Sequence, residues 1–273
     1  MENQEVGAHV KAALVVAHPG HELRIHHWLE LNRPLCFCVT DGSGRSEAPR
    51  MHSTTALIKK VGSAQGSIFG HIPDQELYRI LLEGQHEVFV KLLQELTTAL
   101  IEHGISEVAG DAPEGATPAH DMCRYLIDAA VFAAERATGR RIANREFVLD
   151  SPPHDCPAHL RAEALWLRLD EAALERKLQA ALAYTELRGE TEEGLRVYGK
   201  NAFALECLRP STGAASLEQF QNEAPAYERY GREGVERFGK HFGKYEKVIT
   251  FREHVWPAAQ AMTEAAKSYA PAH

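Results

Sequence analysis

Ala13-Leu14-Val15-Val16-Ala17-His18-Pro19-Gly20-His21-Glu22 is the stretch that decides how this chain is read. A short apolar run ends in a small residue and is cut by a His-Pro-Gly-His turn. Glu22 then opens a segment of helical pattern. Such a run is bounded like a buried strand, and Pro19 and Gly20 stop it sharply. Both imidazoles are thereby set at the carboxyl end of a strand, the edge at which open α/β sheets bind ligands.

Three residues apart on one turn, His18 and His21 can share a metal ion. A catalytic zinc needs about three protein ligands and an open position. His120 offers the third, in Gly110-Asp111-Ala112-Pro113-Glu114-Gly115-Ala116-Thr117-Pro118-Ala119-His120-Asp121. This stretch also follows an apolar run, Ile105 to Ala109, and also precedes a helix. As a residue pattern it leaves two readings open, metal ligands or solvated loop histidines.

The composition suits a soluble globular protein: of 273 residues, 44% are hydrophobic and 25% charged. At a formal net charge of -8 there is no basic stripe for nucleic acid and no Lys/Arg cluster for an anionic membrane. No apolar run reaches the length of a membrane span. Met1-Glu2-Asn3-Gln4-Glu5 lacks the basic start and apolar core of a signal peptide, so a cytoplasmic protein is expected. Cysteines 36, 38, 123, 156 and 207 read as reduced thiols, with Cys36 and Cys38 as packing residues of one strand. There is no GxSxG elbow, HExxH helix or CxxC pair.

Along the chain, helix is expected over Glu22 to Leu31, with His26 and His27 on its solvent face. Strand follows over Leu35 to Thr40, and Asp41-Gly42-Ser43-Gly44 is its exit turn. Next come helix Met51 to Val61, a short strand Ser67 to Gly70, and a helix capped by Asp74. His86 to His103 is strongly periodic. Beyond the His120 loop a helix runs to Thr138. Ser151 to His159 reads as a solvated connection, its His154, Asp155, Cys156 and His159 fitting no zinc spacing. A strand over Ala164 to Leu169, a helix Glu171 to Tyr184 capped by Asp170, and a strand Phe203 to Leu208 complete the unit. Alternating strands and helices imply an α/β fold: a Rossmann-like parallel sheet with helices on both faces, residues 1–210. Residues 211–273 form a C-terminal extension packed on the main domain, with helices Ala226 to Phe238 and Trp256 to Tyr269 around a strand Lys247 to Arg252. Its Tyr245, Phe251, Arg252, His254 and Trp256 either close over the histidine edge or pack elsewhere.

These pieces resemble the PIG-L/LmbE-like family of zinc-dependent N-deacetylases. That family places Ala-His-Pro-Asp-Asp-Glu after its first strand and His-Pro-Asp-His at a later strand-to-helix turn. Here the motifs stand as Ala17-His18-Pro19-Gly20-His21-Glu22 and Thr117-Pro118-Ala119-His120. Arg50 and Asp74 stand where the family has Arg and Asp, and the order of elements corresponds over residues 12 to 208. The resemblance implies a divalent metal, zinc, held by His18, His21 and His120, with His21 in place of the family's Asp ligand. That exchange raises the charge of the site by one. Arg50, Asp74 and Thr117 fall on the substrate side.

The sequence departs from the family at two positions. Gly20 stands where the family has its general base, and Thr117 where it has a histidine supporting charge on the reacting carbonyl. A lost base costs about 10²–10⁴ in rate. Glu114 and Asp111, on the His120 loop, are the expected replacements, Glu114 first, reaching into the volume left at Gly20. The implied function is a metal-dependent hydrolase removing an N-acyl group, above all N-acetyl, from a small sugar-derived substrate or glycoconjugate. The alternative is a catalytically altered or inactive binding protein on the same fold, associated with glycan or natural-product assembly.

Overall fold

The computed structural model describes residues 11–44, 48–152, 154–242 and 247–270. The first half of the chain runs β1 (Ala12–Val16), α1 (His26–Asn32), β2 (Leu35–Thr40), α2 (Met51–Val61), β3 (Ala64–Ile72), α3 (Asp74–Leu82), α4 (His86–Glu102) and β4 (Glu107–Asp111). The second half runs α5 (Pro118–Thr138), β5 (Ala143–Phe147), β6 (Leu165–Arg168), α6 (Glu171–Ala183), α7 (Arg188–Tyr198), β7 (Leu205–Pro210), α8 (Ala214–Glu218), α9 (Ala226–Phe242) and α10 (Trp256–Ser268).

The seven strands form one sheet in the order β3-β2-β1-β4-β5-β7-β6. β1 pairs in parallel with both β2 and β4. β3 and β5 extend the parallel set on either side. β7 is antiparallel to both of its neighbours, β5 and β6. The chain winds outward from β1 through β2 to β3 and then returns to place β4 on the other side of β1. The carboxyl ends of β1 and β4 therefore flank a topological switch point, the crevice where such sheets take ligands.

β1 shows why the sheet is covered twice. Successive side chains of a strand point to opposite faces. Ala13, Val15 and Ala17 join a core built with Leu77, Leu81, Phe89, Leu93, Leu126 and Met262. Ala12, Leu14 and Val16 join a second core with Trp28, Leu29, Leu57, Ile58 and Tyr184. Helices α3, α4, α5 and α10 thus cover one face, and α1, α2 and α6 the other. Burial on both faces explains the unbroken apolar run at residues 12–17. All five cysteines are buried and free, as the strand pattern of Cys36 and Cys38 implied.

Several local expectations change. The helix expected from Glu22 begins as a 3₁₀ turn, His21–Ile25, because the Glu22 carboxylate turns back to accept the Gly20 N–H at 2.7 Å. His26 is buried and His27 half-buried. Their helix is drawn against the sheet by Glu206 of β7, which accepts the His27 and Trp28 N–H groups at 2.9 Å each. Asp74 opens α3 after an N-cap at Pro73 and caps nothing. Asp170 does cap α6, accepting the Ala173 N–H at 2.7 Å. β5 and α7 were not foreseen.

No strand forms near residue 250. Thr250 accepts the Glu253 N–H with its hydroxyl and starts a π turn, Phe251–Val255, that feeds α10. α10 packs against α4 and α5, and Phe251, Val255, Ala258 and Met262 share the core of that face. No described helix is long and apolar enough to cross a membrane.

Candidate functional site

His18 and His21 leave the end of β1 on the turn that Pro19 and Gly20 make, and His120 sits in the first turn of α5. The switch point brings them together. Ring centroids lie 5.3 Å apart for His18–His21, 5.2 Å for His18–His120 and 4.6 Å for His21–His120. The rings meet edge to face. Among the described residues, no group of three or more His, Cys, Asp or Glu forms a ready metal cage.

Two carboxylates stand behind two of the rings. His18 Nδ1 lies 3.0 Å from Asp74 Oδ1 and 2.7 Å from Thr40 Oγ1. His21 Nδ1 lies 2.9 Å from Asp111 Oδ2. Asp74 Oδ2 also accepts the Gly44 N–H at 2.7 Å, and Asp111 Oδ2 the Ala17 N–H at 2.7 Å. A carboxylate can only accept, so each ring carries its proton on Nδ1 and leaves Nε2 as the free donor atom. Behind His120 the arrangement is looser: its buried Nδ1 has no hydrogen-bond partner, and Asp150 Oδ2 is 3.9 Å away.

Burial lowers the His18 pKa below its ordinary value, against the raising effect of Asp74. Burial, then His21, His18 and Arg50, holds His120 well below its ordinary value. Burial alone would push the Asp74 carboxyl up, but the hydrogen bond and charge of His18 outweigh it and hold Asp74 below the usual range. Burial penalises a charged imidazole at His18, while the His18 ring and the Gly44 N–H both serve the Asp74 carboxylate. Neutral imidazoles are the form that binds metals.

The other expected residues fall out differently. Glu114 is drawn away from the cluster: its carboxylate accepts the N–H groups of Leu149 (2.5 Å), Asp150 (3.0 Å) and Ser151 (2.9 Å). That occupies the lone pairs a base would use. Asp111 is completely buried behind His21, its Oδ2 taken by His21 and the Ala17 N–H and its Oδ1 without a partner. Asp74 lies behind His18, not at a substrate surface. Thr117 occupies the N-cap position of α5 without a side-chain capping bond. Arg50 is half-buried near the cluster, its Nε donating to the Gly42 carbonyl at 2.8 Å.

The volume expected at Gly20 does not exist. Gly20 has φ +106°, and a Cβ there would run into the Leu187 methyl group, with the Tyr184 ring beyond. The 3₁₀ turn after α6 thus fills the place where the resemblance puts a base. The residue that sequence reading missed is Asp150. It ends the run Glu146-Phe147-Val148-Leu149, a strand-end signal like those at His18 and Asp111, in a stretch between the helix to Thr138 and the connection from Ser151 to which the sequence reading assigns no element. Glu114 grips its loop from one side. Arg24 grips it from the other, donating to the Val148 carbonyl at 3.0 Å and to the Ser151 carbonyl. Burial, then the charge of Glu114, raises the Asp150 pKa.

The C-terminal extension reaches this edge through a segment other than the one expected. Gln219 Nε2 donates to the Pro113 carbonyl and the Tyr227 N–H to the Gly115 carbonyl, each at 2.9 Å. Gly115, at φ +67°, lets Phe220 and Pro225 press on the His120 loop. Phe251 and Trp256 instead pack on each other, ring centroids 5.8 Å apart. Arg252 donates to the Gln221 carbonyl and His254 Nδ1 accepts the Thr250 N–H. Tyr245 lies outside the described residues.

No family model matches the chain, and no curated protein does. Solved structures do. The conserved protein TT1542 from Thermus thermophilus superimposes with a TM-score of 0.52 at 16% identity, over 75% of this chain and 96% of that one. The zinc-inhibited form of teicoplanin deacetylase Orf2 gives 0.49 at 13%, over 74% and 97%. The A40926 pseudoaglycone deacetylase Dbv21 gives 0.46 at 18%, over 74% and 97%. These are PIG-L/LmbE-fold proteins at low identity, and the likeness is one of fold.

Proposed function

We propose that this chain is a divalent-metal-dependent hydrolase that removes an N-acyl group, N-acetyl first, from a sugar-derived substrate. The observation that carries the reading is the meeting of three imidazoles from two strand-end loops at the switch point, 4.6–5.3 Å between centroids. Three imidazoles around a tetrahedral zinc, with Zn–N about 2.0–2.1 Å, put their centroids about 5 Å apart. The buried, unpartnered Nδ1 of His120 fits the same interpretation: it is a polar atom whose present orientation satisfies nothing. His18, His21 and His120 would hold the ion. Bound there, a divalent ion polarises an amide carbonyl and lowers the pKa of water.

The chain's own residues supply the rest. Asp74, Asp111 and Glu114 are committed to hydrogen bonds, whereas Asp150 keeps its side chain 52% exposed beside the cluster. Asp150 takes the role first expected of Glu114 or Asp111. It accepts one proton of the attacking water and returns it to the leaving nitrogen as the C–N bond breaks, giving a carboxylic acid and an amine, which exchange a proton to become carboxylate and ammonium. Burial raises its pKa above its ordinary value, the direction that strengthens it as a base. Glu114 and Arg24 hold its loop in place. Arg50, with its Nε tied to Gly42, keeps its remaining N–H groups to orient an oxygen of the substrate.

One observation favours a second reading, a binding protein without turnover: Leu187 fills the space at Gly20. The test separates the two. Chelator-free protein is assayed for metal by elemental analysis and then, zinc-loaded, for acetate release from a panel of N-acetyl sugars. About one ion per chain with acetate release supports the hydrolase. One ion with no release from any member leaves the binding protein. No ion even after zinc is supplied removes the site. His120→Ala should lower occupancy and His154→Ala should not.

A further inference from the structure

We propose that Asp111 restores to the site the negative charge that His21 withdraws, acting through the His21 ring as a positioning residue. The inference rests on the metal reading above and asks which residue makes His21 a competent donor. By resemblance, position 21 belongs to a carboxylate ligand. In this chain that charge has moved one layer outward. Asp111 ends β4, is completely buried, and spans the switch point by accepting the Ala17 N–H from the β1 side at 2.7 Å and facing His21 Nδ1 at 2.9 Å. Both contacts fall on Oδ2, and Oδ1 has no partner.

Two consequences follow from this geometry. The first concerns the tautomer. An oxygen that already accepts a backbone N–H can only accept from the ring as well, so the His21 proton is fixed on Nδ1. The Nε2 lone pair is then the one presented to a ligand, and a carboxylate behind an imidazole makes it a stronger donor. The second concerns charge. Asp74 repeats the arrangement at His18, at 5% exposure. Among the described residues, neither carboxylate has a Lys or Arg within ion-pair distance; their only partners of that kind are the two imidazoles. Buried charges are paired or coordinate metals. Two carboxylates behind the two rings stand against one dication, so the charge given up at position 21 is met one layer further out.

The experiment has two arms. In metal-free wild-type protein, side-chain nitrogen NMR reads the His21 tautomer, with the signal assigned by its loss in His21→Gln. The Nδ1-protonated form is expected, and the Nε2-protonated form overturns the proposal. In the second arm, zinc and cobalt are each titrated into folded variants. Asp111→Asn should weaken both about 10–100-fold, because the amide oxygen can keep the place of Oδ2 against Ala17 N–H and His21 Nδ1 but no longer carries the negative charge that makes the ring a stronger donor. His21→Asp should also bind weakly, with two carboxylates face to face. The double variant His21→Asp/Asp111→Asn should recover to within a few-fold of wild type. Wild-type affinity in Asp111→Asn, or a double variant no tighter than Asp111→Asn, overturns the proposal. Should Asp111→Asn fail to fold, the wild-type tautomer decides. Wild-type protein that takes up neither metal ends the metal reading and this inference together; an Nε2 proton in a protein that binds zinc ends this inference alone.

Discussion

Glu206 on β7 and Asp111 on β4 are both buried carboxylates, at 1% and 0% exposure, yet they are satisfied in opposite ways. Glu206 accepts the His27 and Trp28 N–H groups and the Lys177 ammonium at 2.8 Å, and Lys177 also donates to the Arg24 carbonyl. Charge meets charge, and the N-terminal end of α1 is docked against the sheet. Asp111 meets only a backbone N–H and an imidazole, and one of its oxygens meets nothing. The first cluster is closed on itself. The second leaves a carboxylate oxygen without a partner. Burial of charge alone does not distinguish the two clusters; the presence of an internal cation does.

The largest effect should come from breaking the closed cluster. Glu206→Gln strands Lys177 in the core and should cost about 3–5 kcal/mol of stability, read by denaturant unfolding, while zinc affinity stays unchanged. A cost below about 1 kcal/mol would mean that Glu206 is not the self-contained pole it is taken to be. The open cluster is probed next through Asp150→Asn. Turnover should fall about 10²-fold with zinc affinity and unfolding midpoint within error of wild type. Undiminished turnover on any cleaved substrate would exclude Asp150 as the proton carrier.

Gly20→Ala tests the wall between the two regions. With φ +106° and Leu187 against it, it should cost about 1–3 kcal/mol. Leu187→Ala in the same chain should recover part of that cost by removing the clash. No recovery would locate the penalty in backbone strain alone.

The smallest effect concerns pH. Burial lowers the His26 pKa, opposed by Glu30 and Glu206 and assisted by Lys177 and Arg176. The unfolded chain therefore binds a proton that the folded chain refuses. The stability contribution is present above about pH 6.5 and is lost as pH falls from there toward the folded-state pKa. His26→Gln should flatten the stability profile across that window. A profile as steep as wild type would assign the acid loss to other groups.

How much of this was legible in residues alone varies by element. β1 and β4 carry their burial in unbroken apolar runs, and the three histidines stand at strand-end turns, so their meeting could be anticipated. β5 could not be read the same way: its Asn144 and Arg145 are polar because they serve a polar layer with Arg124 and Glu107, and that layer hides the strand pattern. Asp150 was lost with β5. Glu114 was misassigned because nearness in sequence to His120 says nothing about direction, and three free backbone N–H groups on the next loop compete for it. α7 buries none of its residues deeply, so it left no apolar stripe to find. Near residue 250 an alternating pattern was offered, but the Thr250 hydroxyl captured the chain for a turn.

The packing of α10 bears on how the protein is made. Val255, Ala258 and Met262 are sealed against α4 and α5, elements that leave the ribosome long before them. Until α10 emerges, that face of the sheet carries an uncovered apolar stripe. Nascent chains stalled before α10 emerges should therefore be the ones that engage chaperones or aggregate, because a core begun at β1 stays open until that helix packs.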